Sequence, residues 1–217
     1  MTPRTSPIVA LMALASCAPG HRGATGNAPP TSADSALLSA AADSLEALER
    51  RIGMALPSDR SAADRAAITG SWADAEGRMQ AVIARTPESP VREWLLGDVW
   101  HQGQRLNVPG AFDSAEAHLG RALAMDSTLL AARLSLARLY VNSGLELAPK
   151  AEYLLRGANP PPGSQDEITV HEGLAFALWY QGRRRDAAAE AAFVFARDPA
   201  NQAMKLFSRT ATTGIPK

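Results

Sequence analysis

Four short segments of this chain share one spacing: a small residue, an apolar or small residue four later, another three after that, and a turn residue five further on. They are Ala75-Met79-Val82-Pro87, Ala115-Leu119-Ala122-Ser127, Ala151-Leu155-Ala158-Gly163 and Ala187-Ala191-Val194-Pro199. Steps of four and three return to the same side of a helix, so each segment reads as one helical stripe closed by a turn. The leading alanines stand 40, 36 and 36 residues apart, and self-similarity at such a period marks stacked repeats. A partner segment precedes each of the last three: Leu96-Gly97 with Trp100, Leu136-Ala137 with Tyr140, and Leu174-Ala175 with Leu178. Large side chains on one helix fill the space left by small ones on its mate, which lets the two cross closely. Neither helix of such a pair buries its stripe alone, so neighbouring pairs must stack.

The rest of the chain agrees with an all-α fold. Hydrophobic residues make up 46% of it with only 6% aromatics, and the apolar share is dominated by Ala and Leu, which lose little on entering a helix. Leu37, Leu38, Ala41, Ala42, Leu45 and Leu48 hold one face from about residue 34, with Asp34 or Ser35 placed to cap the start. Ala203, Met204, Leu206 and Phe207 predict a last helix over 200–209 that covers the open end of the stack, and 210–217 is expected to fray.

With these residues in place, the chain resembles the tetratricopeptide repeat, a helix-turn-helix unit of about 34 residues. The resemblance implies a helical-hairpin solenoid of about three to four units plus a C-terminal capping helix. The best copy is 164–199, with Leu174, Ala175, Leu178, Gly182 in the inter-helix turn, Ala187 and a closing Pro199. The copy at 128–163 keeps Leu136, Ala137, Tyr140, Gly144, Ala151, Leu155 and Ala158, with about two extra residues around Pro149. The copy at 90–127 keeps Leu96, Gly97, Trp100, Ala115, Leu119 and Ala122, and has a longer turn through Asn107-Val108-Pro109-Gly110. Residues 34–89 form an N-terminal helical region with a degenerate unit. The family's early Trp is missing: Glu93, Arg133 and His171 stand at its position, and Trp94 comes one place late.

Residues 1–16 have the layout of a signal peptide: Arg4 and the α-amine, an apolar stretch from Ile8 to Ala15, then small residues. Leu14-Ala15-Ser16-Cys17 resembles the bacterial lipobox, in which the Cys sulfur takes a lipid before cleavage ahead of it. Cys17 is the one cysteine of the chain, which leaves no disulfide framework. Several acyl chains, each buried CH₂ worth about 0.8 kcal/mol, anchor stably where one chain would be marginal. Residues 17–33, rich in Gly, Pro, Ala, Ser and Thr, read as the lipidated Cys and a flexible linker. Ala18, rather than Asp, follows the Cys; by resemblance this directs the protein to the outer membrane, facing the periplasm, in a Gram-negative cell.

Other chemistry has little support. The balance of 22 basic and 22 acidic residues speaks against a nucleic-acid binder. No glycine-rich phosphate loop or nucleophile elbow occurs. His171-Glu172 begins like a zinc helix motif, but Ala175 stands where the second His belongs. No nucleophile, base and orienter constellation is visible, so neither an enzyme nor a cofactor is expected. Arg183-Arg184-Arg185 falls in a turn and reads as a solvated run, with contact to an anionic lipid or acidic partner as the sharper alternative.

In the family, the first helix of each unit lines a concave groove that receives a peptide or helix of a partner protein. Register transfer places Trp94, Asp98, His101 and Gln102 there from the first unit, Leu134, Arg138, Val141 and Asn142 from the second, and Glu172, Phe176, Trp179 and Tyr180 from the third. Phe176 and Trp179 have burial against the 200–209 helix as an equal alternative, and Trp94 has substitution for the displaced Trp as its own. Asp98, Gln102 and Arg138, being polar, are expected to stay open. The expectation is therefore a membrane-anchored protein-interaction module. The alternative is a structural or assembly subunit of an envelope machine that docks through its convex face.

Overall fold

The computed structural model describes residues 32–53 and 60–213, with side chains through 209. The signal peptide 1–16, Cys17, most of the linker and the last tail residues lie outside the described residues.

The described residues are helical, with no strand. The helices are α1 (Ser32–Ile52), α2 (Ala62–Ile83), α3 (Pro90–Arg105), α4 (Ala111–Met125), α5 (Leu130–Ser143), α6 (Ala148–Arg156), α7 (Gln165–Tyr180), α8 (Arg184–Arg197) and α9 (Gln202–Thr213); one 3-10 turn, Leu145–Leu147, precedes α6. Two boundaries differ from the sequence expectation. The first helix takes in Ser32 and Ala33, placed in the linker above, and Asp34 sits in its first turn rather than ahead of it. The last helix runs past 209 to Thr213.

Local chemistry sets the starts. Ser61, Ser89 and Ser164 each cap a helix by accepting a hydrogen bond from the backbone N–H three residues on, and Pro90 occupies the first turn of α3. The two extra residues near Pro149 are taken up by the 3-10 turn, and Pro149 lies in the first turn of α6. Gly182, at φ +75°, makes the tight turn between α7 and α8, a conformation that a side chain would strain.

Packing follows chain order. Each helix packs on its neighbour in sequence, and the odd-numbered helices also pack on one another: α1 on α3, α3 on α5, α5 on α7, and α7 on α9. The small residues of the repeated stripe sit at the closest crossings. Ala115, Ala151 and Ala187 are fully buried, as are Ala137 and Ala175 on the partner helices. Gly97 on α3 admits Leu119 of α4, and Gly173 on α7 admits Leu155 of α6. One apolar core runs from Leu38 through Met79, Leu95 and Leu119 to Leu139, and a second joins Leu155, Leu174, Leu178, Val194, Met204 and Phe207. These clusters hold α3, α5 and α7 side by side, and that row positions the site.

Candidate inner-face site

Helix α3 is packed on by α1, α2, α4 and α5, and this explains the burial of its polar side chains. Asp98, His101 and Gln102 are 2%, 2% and 0% exposed, and Trp94 is 5% exposed. The expectation that Asp98 and Gln102 stay open is therefore corrected. A polar residue on a helix enclosed from four sides meets protein whatever its register. Leu134, Val141 and Trp179 are buried too, at the contacts between successive odd-numbered helices. Trp179 lies against Phe207 of α9, ring centroids 6.0 Å apart, so the capping helix takes it.

Most buried polar groups find partners, and here they face one another across three helices, with Asp98 Oδ1 and His101 Nδ1 making no hydrogen bond. Trp94 Nε1 donates to Ser135 Oγ of α5 at 3.1 Å. Gln102 Nε2 donates to Glu49 Oε1 of α1 at 2.9 Å, and Arg105 Nη1 donates to Gln102 Oε1 at 2.9 Å. Arg105 also donates to the Gly53 carbonyl just past α1. Arg138 Nη2, from α5, stands 3.7 Å from Glu49 Oε1 and 3.8 Å from Asp98 Oδ1. His101 Nδ1 is 3.6 Å from the same Asp98 oxygen, and Asn142 Nδ2 reaches His101 Nε2 at 3.4 Å. Glu49 belongs to this centre and is not legible in the sequence, because the repeat spacing gives no register between α1 and the later helices.

The electrostatics follow from enclosure. Burial, then the charge of Asp98, pushes the Glu49 carboxyl up to about 7, against the pull of Arg138 and Arg105. Burial would raise Asp98 as well, but the nearby His101 ring and the charge of Arg138 hold it well below the usual carboxylate range. Burial pushes His101 down, so its ring is neutral around pH 7. Burial would lower Arg138, yet the charges of Asp98 and Glu49 raise it further.

The remaining predicted residues form the open part of the face. Arg138 keeps 44% of its side chain exposed, and Asn142 is exposed. Glu172, Phe176 and Tyr180 of α7 are half-buried. Phe176 meets Phe207 edge-on at 5.4 Å. Glu172 accepts from Asn201 Nδ2 at 2.5 Å, and burial raises its carboxyl. Asp166, at the start of α7, is raised by burial too. The open face thus offers a cation, an amide, a carboxylate and two aromatic rings on adjacent helices. Such a mixture suits binding of a polypeptide.

Other singled-out residues serve packing. Glu93, standing at the family's Trp position, is buried and receives His118 at 2.9 Å, Arg121 at 3.3 Å and Arg92 at 3.4 Å. His171 contacts Glu190 at 2.5 Å and stacks on Phe193 at 3.6 Å. The arginine run is divided: Arg183 joins Glu152 of α6 at 2.8 Å and Asp186 at 2.7 Å, Arg184 lies over the Trp179 ring at 5.2 Å, and Arg185 is exposed. Among the described residues no group of three His, Cys, Asp or Glu could hold a metal ion, and no helix is long and apolar enough to cross a membrane.

Comparison with known protein families, with curated proteins and with solved structures finds no match.

Proposed function

We propose that this protein is a lipid-anchored interaction module, a tetratricopeptide-like array of helical hairpins that binds a partner protein on the face formed by α3, α5 and α7. The observation that carries this reading is the set Arg138, Asn142, Glu172, Phe176 and Tyr180. These residues share consecutive inner helices and stay at least partly open while their neighbours in register are buried. The row of odd-numbered helices, each packed on the next, is the arrangement that a concave binding surface needs. Cys17, with its lipobox-like surroundings, supplies the anchor. The linker lets the helical body stand off an envelope membrane, by our reading the periplasmic face of the outer membrane. The module needs no cofactor and catalyses no reaction in this account; its work is to hold one protein near a membrane.

The experiment is replacement of Arg138, Asn142 and Tyr180 together by alanine, with affinity capture from membrane extracts. Loss of the captured partners supports the inner face, and unchanged capture refutes it. The choice follows the geometry: Asp98 is buried and its removal would report on folding, whereas Arg138 and Asn142 are exposed and Tyr180 is half-buried.

A second reading, docking through the convex face as part of an envelope assembly, is favoured by one observation. Tyr153 on α6 is 78% exposed and Leu145 before it 49%. Beside Tyr153 lies an apolar notch of about 400 Å³ lined by Leu136, Tyr140, Pro149, Lys150, Tyr153 and Leu154.

A further inference from the structure

Helix α6 and the 3-10 turn before it carry an outer stripe that the described residues leave uncovered. Glu146, Pro149, Tyr153 and Arg156 follow at steps of three, four and three, so they share one side of the helical run. All four are exposed, Tyr153 at 78%. The stripe borders the apolar notch of about 400 Å³, which has Leu136 and Tyr140 on its α5 side and Pro149, Lys150 and Leu154 on its α6 side. An aromatic knob thus stands at the rim of an apolar hole. The ends of the stripe are opposite in charge. Glu146 has no ion pair among the described residues. Arg156 is half exposed and meets Glu152 through Nε at 2.7 Å, which leaves its Nη groups to offer.

The two pairs have a common midpoint: Glu146 and Arg156 are centred on residue 151, and so are Pro149 and Tyr153. Two copies of α6 laid antiparallel about that point therefore satisfy both pairs in one register. Tyr153 of each copy falls on Pro149 and the notch of the other, and Glu146 of each falls on Arg156 of the other. A two-fold contact needs a self-complementary patch of this kind, in which residue i meets j and j meets i. We propose that the α6 face is a homodimer contact, with a second copy of this chain as the occupant of the notch. The incoming Tyr153 ring would trade water for the notch walls, a large apolar area for one side chain. Lys150, which lies over the Tyr140 ring at 5.3 Å, would flank it. A single helical stripe is smaller than the surfaces that hold obligate dimers, so the pair is of modest strength and forms where copies are concentrated. The contact goes beyond the inner-face reading and uses none of its residues; it takes the surface that convex-face docking would otherwise use.

The test uses the full-length protein in its cell envelope, expressed as two differently tagged copies. A photo-crosslinking amino acid replaces Lys150, next to the midpoint, and adducts that carry both tags are measured. The expected result is a two-tag adduct in the otherwise wild-type chain and its loss in Tyr153→Ala. Glu146→Arg alone and Arg156→Glu alone should each lower the yield severalfold, because each sets like charges opposite one another. Both reversals in one chain should restore the yield, since the ends are again opposite in sign. Glu152 keeps Arg183 and Gln181, each at 2.8 Å, so α6 stays clasped in Arg156→Glu. Absence of a two-tag adduct overturns the pairing, and an adduct with a different protein alone does the same by giving the notch to that protein. Single reversals without effect, or a double reversal that does not rescue, overturn the antiparallel register. Should a variant not fold, the presence or absence of the two-tag adduct in the unreversed chain decides the matter alone.

Discussion

Leu119 of α4 lies directly against Gly97 of α3: a Cβ placed on Gly97 would fall 2.5 Å from Leu119 Cγ and 2.9 Å from the Leu119 backbone nitrogen. A backbone atom cannot step aside, so the clash would separate the two helices. Gly97→Ala gains up to about 1 kcal/mol of helix propensity but should lose more to overpacking, which costs about 1–3 kcal/mol. At Gly173 the nearest atom is the tip of Leu155, Cδ1 at 2.8 Å, which can turn away. Urea unfolding should therefore show Gly97→Ala clearly destabilised and Gly173→Ala much less so; equal effects would contradict the account of the crossing.

Trp94 and Ser135 tie α3 to α5 through one buried hydrogen bond, with Ser135 only 1% exposed. Trp94→Phe removes the donor to that hydroxyl, which keeps Asp98 as a neighbouring partner, so the cost is that of one hydrogen bond, about 0.5–1.5 kcal/mol. Ser135→Ala in the Trp94→Phe background should then cost less than in the wild type. A double-mutant cycle measures the difference, and strict additivity would remove the bond from the ledger of this interface.

The enclosure of Glu49 predicts a pH-dependent stability with a definite sign. Its folded-state value of about 7 stands above the ordinary 4.5, so between these limits the folded protein binds more protons than the unfolded chain. This contribution is fully present below about pH 4.5 and is lost as pH rises through 7. His101 works the opposite way, since its lowered value costs stability as pH falls below its ordinary 6.5. Comparing wild type with Glu49→Gln cancels the His101 part. The variant should gain stability relative to wild type between pH 5 and pH 8, measured by chemical denaturation; a constant difference would sink the assignment.

The proposed anchor is Cys17, acylated at its sulfur. In cells fed labelled palmitate, the wild type should carry label and sediment with membranes, while Cys17→Ala should be unlabelled and leave the membrane fraction. Equal labelling of the two would remove the anchor.

The sequence told the helical class and the close crossings well, because both depend on local facts. A small residue at Ala115, Ala151 or Ala187, facing large residues on the partner helix, states how near a second helix can come. Depth was not legible. Asp98 and Gln102 are polar, and polarity alone argued for an open position, yet α1 and α5 both close over α3. What a helix meets on its far side depends on stacking between units, which one unit's spacing does not encode. The same cause hid Glu49, whose role exists only once α1 is laid against α3. Arg183 was legible as a turn residue but not as the clasp to Glu152, thirty-one positions away.

The inner face and the Tyr153 notch make opposite claims about where a partner lies, and one measurement separates them. A photo-crosslinking amino acid is placed at Asn142 on the inner face or at Tyr153 on the outer face of the full-length protein in its cell envelope, and adducts are identified after irradiation. The account predicts a discrete adduct from Asn142 that disappears when Arg138 and Tyr180 are replaced by alanine, and none of the same mass from Tyr153. An adduct from Tyr153 with none from Asn142 would contradict it and move the binding surface to the other side of the stack.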